Sequence, residues 1–355
     1  MCQSNTQGII LFYTKITEIQ IENTSICNAA CPMCLRENTP DNKTWFEETY
    51  LDTEFFKTRI PDHVLTGVES ILFNGVLGDS CAAPNFLEVC SVMRERVPHA
   101  MITISTNGGL RTTKFWRELA EILGTSGRVI FAIDGLKDTN HIYRVNVNFD
   151  RVIENAKAFI QAGGIAEWQF ISFKHNQHQI KEAELLAKEL GFKSFFVKPS
   201  YRFTLEEMAG GPRYSSGVKL EPPDVDAHPI TFIPKFNLKQ WHESTNNSRI
   251  NCYAQHTNSI YIEYTGRLFP CCPLSSGLMY RRTINFEDSW DTLWNTHGKD
   301  KINLKTNDWD SIVNGDFFLG VKDSWNKDYS TGRLAPCAGV CSDSKLKFNN
   351  KNGSS

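Results

Sequence analysis

"TEIQIENTSICNAACPMCLR", residues 17–36, joins a short alternating run to Cys27, Cys31 and Cys34, three cysteines within eight residues. The alternation over "TEIQIE" (17–22) predicts a strand with one buried face, so the thiols arrive just past its carboxyl end. Residues 25–36 offer no fourth metal ligand. A closed structural metal site takes four protein ligands, whereas a site built to react keeps one position open. Three thiolates in one tight loop can each hold one iron of a cubic [4Fe-4S] cluster and leave the fourth iron without a protein ligand. The plainer alternatives are a zinc knuckle completed by a distant residue such as His63, or thiols that are merely core.

Outward from this loop, short β-rich runs alternate with helical patterns as far as residue 199. The predicted strands are 17–22, "SILFNG" (70–75), "MITIST" (101–106), "VIFAID" (129–134), "WQFISF" (168–173) and "FFVKP" (195–199). Between them, "PNFLEVCSVMRERV" (84–97), "TTKFWRELAEIL" (112–123), "FDRVIENAKAFIQAG" (149–163) and "QIKEAELLAKELG" (179–191) carry apolar residues at helical spacing, and two of them stop at Gly. Strands alternating with helices imply a parallel sheet with right-handed crossovers, either six units of a (β/α) barrel or an open doubly wound sheet. In both, reactive loops gather at the carboxyl ends of the strands. Cys27, Asp79, Asn107, Asp134 and His175 each follow a predicted strand by a few residues and are expected to share that face.

The remaining sequence reads differently. Residues 200–248, with "AGGPRYSSGVKLEPPDVDAHP" (209–229), are rich in Gly, Pro and Ser and are expected to be a linker or an active-site loop. "SIYIEYTGRLFPCC" (259–272) predicts a hairpin turning at Thr-Gly, and the polar tail 346–355 is expected to be disordered. The 355 residues hold 41% hydrophobic and 22% charged side chains, with a formal net charge of -2, which gives no electrostatic reason for a nucleic acid or anionic membrane as partner. Neither a secretory signal nor a membrane-length apolar run is visible, so the expected location is the cytoplasm. Eleven cysteines cannot all pair, and in a reducing compartment clustered cysteines read as metal ligands.

The spacing Cys-x3-Cys-x2-Cys straight after a first strand resembles the signature of the radical S-adenosylmethionine (SAM) superfamily. The resemblance implies an α/β fold, a partial (β/α)6 TIM-like barrel over 17–199, with SAM chelated to the open iron of a [4Fe-4S] cluster. An electron would cleave the sulfonium to a 5'-deoxyadenosyl radical, which abstracts hydrogen from a substrate. It also implies roles at the other strand ends. Gly75, Gly78 and Asp79 in "FNGVLGDSCAAP" stand where the superfamily carries a Gly-Gly-Glu segment that contacts the SAM amino group; here the segment is looser and its carboxylate shorter. Asn107 in "STNG" would bond a polar ligand atom, Asp134 in "AIDG" a ribose hydroxyl or substrate donor, and Arg144 the SAM carboxylate. The residue before the third cysteine, often aromatic in the superfamily, is Met33. His175 and His178 fit a substrate-facing role and a surface loop leading into a helix equally well; Cys90 reads as core, and Cys81 as packing or a hydrogen-atom donor.

The late cysteines extend the resemblance. Cys252-x13-Gly266-x4-Cys271 resembles the start of the SPASM and twitch extensions, and Cys337 and Cys341 bring the thiols to four. This implies a twitch-like auxiliary [4Fe-4S] domain over 249–345, with a small C-terminal β-hairpin/α extension holding a second cluster on Cys252, Cys271, Cys337 and Cys341. Neighbouring side chains of extended chain point apart, so Cys271 and Cys272 do not both reach one cluster. The implied activity is hydrogen abstraction, an oxidation or bond formation, on a peptide or small polar metabolite, with an electron donor such as flavodoxin or ferredoxin. The alternative is a non-catalytic zinc scaffold. About sixteen residues before the first strand disfavour a fused leader-peptide domain, and the ending "NGSS" disfavours a molybdopterin-type GTP cyclase.

Overall fold

The computed structural model describes residues 12–37, 46–200, 203, 219–224, 238–275 and 289–344. All six predicted crossover strands form: β1 (Glu18–Ile21), β2 (Ser70–Phe73), β3 (Met101–Thr106), β4 (Gly127–Ala132), β5 (Ile165–Ile171) and β6 (Ser194–Lys198). Between β1 and β2 lies α1 (Thr53–Thr58), and the four predicted crossover helices are α2 (Phe86–Arg96), α3 (Thr113–Leu123), α4 (Phe149–Gln161) and α5 (Ile180–Leu190). β4 starts earlier than its apolar run because Gly127 and Arg128 already pair with Ile102 and Thr103. It ends at Ala132, which frees Asp134 to act in the loop.

Along the strands the buried residues alternate, as the sequence pattern requires. Ile71 and Phe73, Ile102 and Ile104, and Trp168 and Phe170 are fully buried. Trp116 on α3 packs on Phe131 of β4 at 5.1 Å, and Phe86 on α2 meets Phe73 edge-on at 5.2 Å. The opposite face is polar: Arg128 donates to Thr103 at 3.1 Å and pairs with Glu167 at 3.5 Å. Gly191 closes α5 in the left-handed conformation (φ 89°), which costs glycine nothing.

The predicted hairpin forms as β7 (Ser259–Ile262) and β8 (Leu268–Phe269), antiparallel, with Gly266 at φ 93° in its turn. Its place was not legible: β7 lies parallel to β1, Ile19 opposite Ile260 and Ile21 opposite Ile262. The result is one eight-stranded sheet ordered β6-β5-β4-β3-β2-β1-β7-β8. That sheet is not closed, and with its crossover helices it matches a partial TIM-like barrel. Between β6 and β7 lie α6 (Leu238–Thr245) and α7 (Tyr253–Thr257), and after β8 come α8 (Ser289–His297), α9 (Trp309–Val313), α10 (Asp316–Asp323) and α11 (Ala335–Cys341). Phe269, Trp290, Trp294 and Phe317 stack together and fasten α8 and α10 to β8. Of the expected linker 200–248, residues 201–202, 204–218 and 225–237 lie outside the described residues, as do the tail 346–355 and Cys2.

Candidate active site

The cysteine loop is tied down on three sides. Ser25 donates its amide to Thr49 O at 3.0 Å and its hydroxyl to Glu47 O at 2.7 Å. Buried Arg36 reaches back to Ser25 O and to Glu48. Ala30 donates to Val145 O at 3.0 Å, beside Arg144. Within the loop Cys31 is buried and Cys27 and Cys34 are half-buried, none of them in a disulfide. Burial and the charge of Asp79 push the Cys27 thiol up, and Cys34 and Cys31 add to this, which places the three within electrostatic reach of one another. Among the described residues no three His, Cys, Asp or Glu side chains are gathered as ligands around one ion. His63 faces Asp310 at 3.3 Å on the surface and completes no knuckle with the loop.

The β2 loop lies directly on the lead-in to this cysteine loop. A Cβ at Gly78 would stand 1.9 Å from Thr24 O, and one at Gly75 would stand 2.2 Å from Gly78 O, so both positions demand glycine. Asp79 donates its amide to Ile26 O at 2.9 Å. Its carboxylate accepts from Cys81 N at 3.0 Å, Thr106 Oγ1 at 2.8 Å, and the amide and side chain of Asn107, both at 2.7 Å. Those bonds occupy the oxygens of Asp79 within the protein, so it clamps the β2 and β3 loops together. Asn107 in turn donates to Asn28 Oδ1 at 2.9 Å, in the middle of the cysteine loop.

A second link comes from β4. Asp134 is fully buried; its carboxylate accepts from Ile171 N at 2.5 Å and from Arg144 Nε at 2.5 Å. Arg144 Nη1 points on to Cys31 Sγ at 3.8 Å. Burial opposes the charge of Arg144, but Asp134, Cys31 and Tyr143 together push its pKa above the ordinary arginine value, so the guanidinium stays charged. A fixed cation therefore stands beside the second cysteine.

Sequence reasoning missed Asn28, Thr106 and Glu22. Glu22 follows β1, and its carboxylate accepts from Leu77 N at 2.5 Å, Gly78 N at 3.3 Å and Tyr261 Oη at 2.8 Å. Burial pushes it up to about 7 despite those donors. A polar residue continuing the alternation of a buried strand was the one signal available. His175 stacks on Phe173 at 5.4 Å with His141 and His178 in electrostatic reach, and burial followed by those charges lowers it to about 4. Cys81 and Cys90 are fully buried in the core.

The late thiols converge by a different route. Ile250 bridges Ser342, and Asn251 donates to Cys341 O at 2.8 Å, which sets Cys252 beside Cys341. The Cys341 thiol, followed by burial, pushes the Cys252 thiol up, and Tyr253 donates its amide to Cys341 Sγ at 3.4 Å. Cys337 and Cys341, one turn apart on α11, share a face. Cys271 lies within electrostatic reach of Cys337 and Cys341, while Cys272 lies near Glu22 and Lys198. Arg333, 4% exposed, donates to Trp325 O, Lys327 O and Ser248 and has no carboxylate partner among the described residues; its charge reaches Cys337.

No protein-family model matches the chain. Over 270 residues it is 23% identical to a tungsten-containing aldehyde ferredoxin oxidoreductase cofactor-modifying protein of Pyrococcus furiosus, covering 71% of this chain and 70% of that one. Among solved structures it resembles Streptococcus suis SuiB bound to its precursor peptide SuiA, with a TM-score of 0.58, 17% identity, and 92% of this chain and 72% of that one covered. It also resembles anSMEcpe with bound AdoMet and the Cp18Cys peptide, with a TM-score of 0.51, 15% identity, and 94% and 92% covered. The chain has the radical SAM fold. In that fold Cys27, Cys31 and Cys34 sit on the loop after β1, at the carboxyl edge of the sheet. The donor set suits an iron–sulfur cluster: three thiols outside any disulfide, grouped on one loop, with a buried cation at Cys31 to face the negative charge of thiolate ligands. Among the described residues, no helix is long and apolar enough to cross a membrane.

Proposed function

We propose that this chain is a radical SAM enzyme that cleaves SAM reductively and abstracts hydrogen from a peptide or small polar metabolite. The observation that carries this is the seating of Cys27, Cys31 and Cys34 on one loop, with Arg144 at Cys31 and the Gly75–Gly78 turn packed on the loop's lead-in. When bound on Cys27, Cys31 and Cys34, a [4Fe-4S] cluster supplies an open iron for SAM and the electron that breaks its sulfonium bond. The protein's part is to bind and orient. Arg144, with Nε spent on Asp134 and Nη1 turned to Cys31, keeps Nη2 for the SAM carboxylate. Gly75 and Gly78 offer main chain close to the loop, while Asp79 and Asn107 hold the β2 and β3 loops to Asn28 so that SAM meets a preorganised surface.

Cys252, Cys271, Cys337 and Cys341 would hold a second [4Fe-4S] cluster. Arg333 supports this, since a buried guanidinium without a carboxylate is costly unless an anionic centre stands beside it. Such a centre could take an electron from a substrate radical and make the reaction an oxidation. The peptides named with SuiB and anSMEcpe, and the cofactor named with the Pyrococcus furiosus protein, support the two substrate classes. Cysteines outside disulfides suit a reducing cytoplasm, where flavodoxin or ferredoxin would supply electrons.

The test is anaerobic reconstitution followed by incubation of reduced protein with SAM. Release of 5'-deoxyadenosine, lost in Cys31→Ala, is expected; a colourless zinc protein that releases none would sink the proposal. Cys271→Ser is expected to remove about four irons per chain, whereas Cys272→Ser leaves the iron content unchanged.

A further inference from the structure

The carboxyl end of β6 brings an exposed lysine to the mouth of the open barrel. Lys198, the last residue of β6, lies in register with Ile171 of β5. Alternate residues of paired strands share a face, so Lys198 stands on the polar side with Gln169 and Glu167, away from the buried Trp168 and Phe170. On β1 the same alternation puts Gln20 and Glu22 opposite the buried Ile19 and Ile21, and Tyr261 of β7, in register with Gln20, donates to Glu22 at 2.8 Å. The register partner of Lys198 ties it to the site already described: Ile171 N donates to Asp134 at 2.5 Å, and the charge of Lys198 reaches Asp134. Cys272 comes from the other side. β6 and β8 are the end strands of the sheet, yet Lys198 on one lies within electrostatic reach of Cys272, just past the other, and Cys272 in turn lies near Glu22. The open sheet therefore curls until its two ends face each other across one mouth. Lys198 is exposed and Cys272 half-buried, so a molecule entering from solvent meets both.

We infer that the substrate carries a carboxylate and that Lys198 holds it in this mouth, beside the Cys272 thiol. The inference rests on the function proposed above and narrows its substrate class to an acidic peptide residue, a peptide terminus or a small organic acid. The charges around the mouth decide the class. Asp134 already has Arg144 as its counter-ion, and Glu22 is bonded to Tyr261 and to the amides of Leu77 and Gly78. The ammonium of Lys198 is thus what an incoming anion meets. One ammonium matches the single charge of a carboxylate, whereas a phosphate favours several charged donors or the fork of an arginine. Asp134 links the two regions: Arg144 binds it directly and turns on to Cys31, while Lys198 approaches from β6. A carboxylate held at Lys198 therefore lies next to the SAM site, where the substrate has to be positioned for reaction.

The test uses a carboxylate and its amide, iodoacetate and iodoacetamide, applied anaerobically to the reconstituted holoenzyme. Cys81 and Cys90 are fully buried and the proposed ligand thiols are held by their clusters, so the reaction is followed at Cys272, located by fragmentation mass spectrometry. Both reagents attack the same sulfur, so the ratio of their rates reports the charge beside it and not the acidity of the thiol. Lys198→Gln is expected to lower the iodoacetate-to-iodoacetamide ratio about tenfold, with Lys198→Arg close to wild type and SAM affinity, measured by calorimetry, the same in all three. Acetate should slow iodoacetate in wild type more than chloride does at the same ionic strength, and Lys198→Gln should lose that difference. An unchanged ratio in Lys198→Gln would overturn the inference. Phosphate competing better than acetate would do so too, by assigning the mouth to a phosphorylated substrate, as would a parallel loss of SAM affinity, which would give Lys198 to SAM. If reduced wild type releases no 5'-deoxyadenosine from SAM, the underlying function has failed, a result distinct from any change in the alkylation ratio.

Discussion

Arg144 and Asp134 hold each other in a region where neither could stand alone. Asp134 has no exposure and Arg144 little, so removing one partner leaves a buried charge uncompensated. Arg144→Gln should destabilise the protein by about 3–5 kcal/mol, read from urea denaturation, and should weaken SAM binding beyond that. A variant of wild-type stability would show that the pair is solvated. Glu22 makes a pH prediction. Its folded pKa of about 7 exceeds the ordinary 4.5, so the unfolded chain loses this proton first. The stability it contributes is complete below 4.5 and is lost as pH rises through 7, by roughly 3 kcal/mol. In Glu22→Gln the amide oxygen still accepts from Leu77 and Gly78, and the slope of stability against pH across that window should flatten. Parallel pH curves for the two proteins would exclude Glu22 as its source.

At the scale of elements, the decisive contact is between two loops. The β2 loop fits against Thr24 only because Gly78 lacks a side chain, and it folds back on itself only because Gly75 does too. Gly78→Ala must push the loop off the cysteine loop, at a cost of about 1–3 kcal/mol from overpacking. We expect the variant to fold but to retain less iron after reconstitution and to lose SAM binding, both measurable by iron assay and calorimetry. Full iron content with normal SAM affinity would mean that the two loops move independently. These glycines were visible in the sequence as a loose Gly-rich turn. That one of them meets Thr24, more than fifty residues earlier, was not, because a glycine's neighbours leave no mark on its own local sequence.

For the whole molecule, the pairing of β7 with β1 makes the late segment part of the same sheet that carries the cysteine loop. Ile260 and Ile262 are buried against it. Ile262→Ala should cost about 2–5 kcal/mol, and tryptophan fluorescence and far-UV circular dichroism should report coincident unfolding transitions. Two separate transitions, with only the later segment shifted by the substitution, would show that the sheet does not act as one unit.

The order of strands and helices, the three-thiol loop after β1 and the hairpin around Gly266 could be read from the chain because each depends on short-range periodicity, spacing or turn chemistry. The clamp of Asp79 on Asn107 and the anchoring of Glu22 by Tyr261 are another matter, as are the place of β7 beside β1 and the turning of Cys272 away from Cys271's neighbours. These join residues far apart in sequence, and only the tertiary packing decides them. A parallel strand pair or a buried carboxylate carries no local pattern that names its partner.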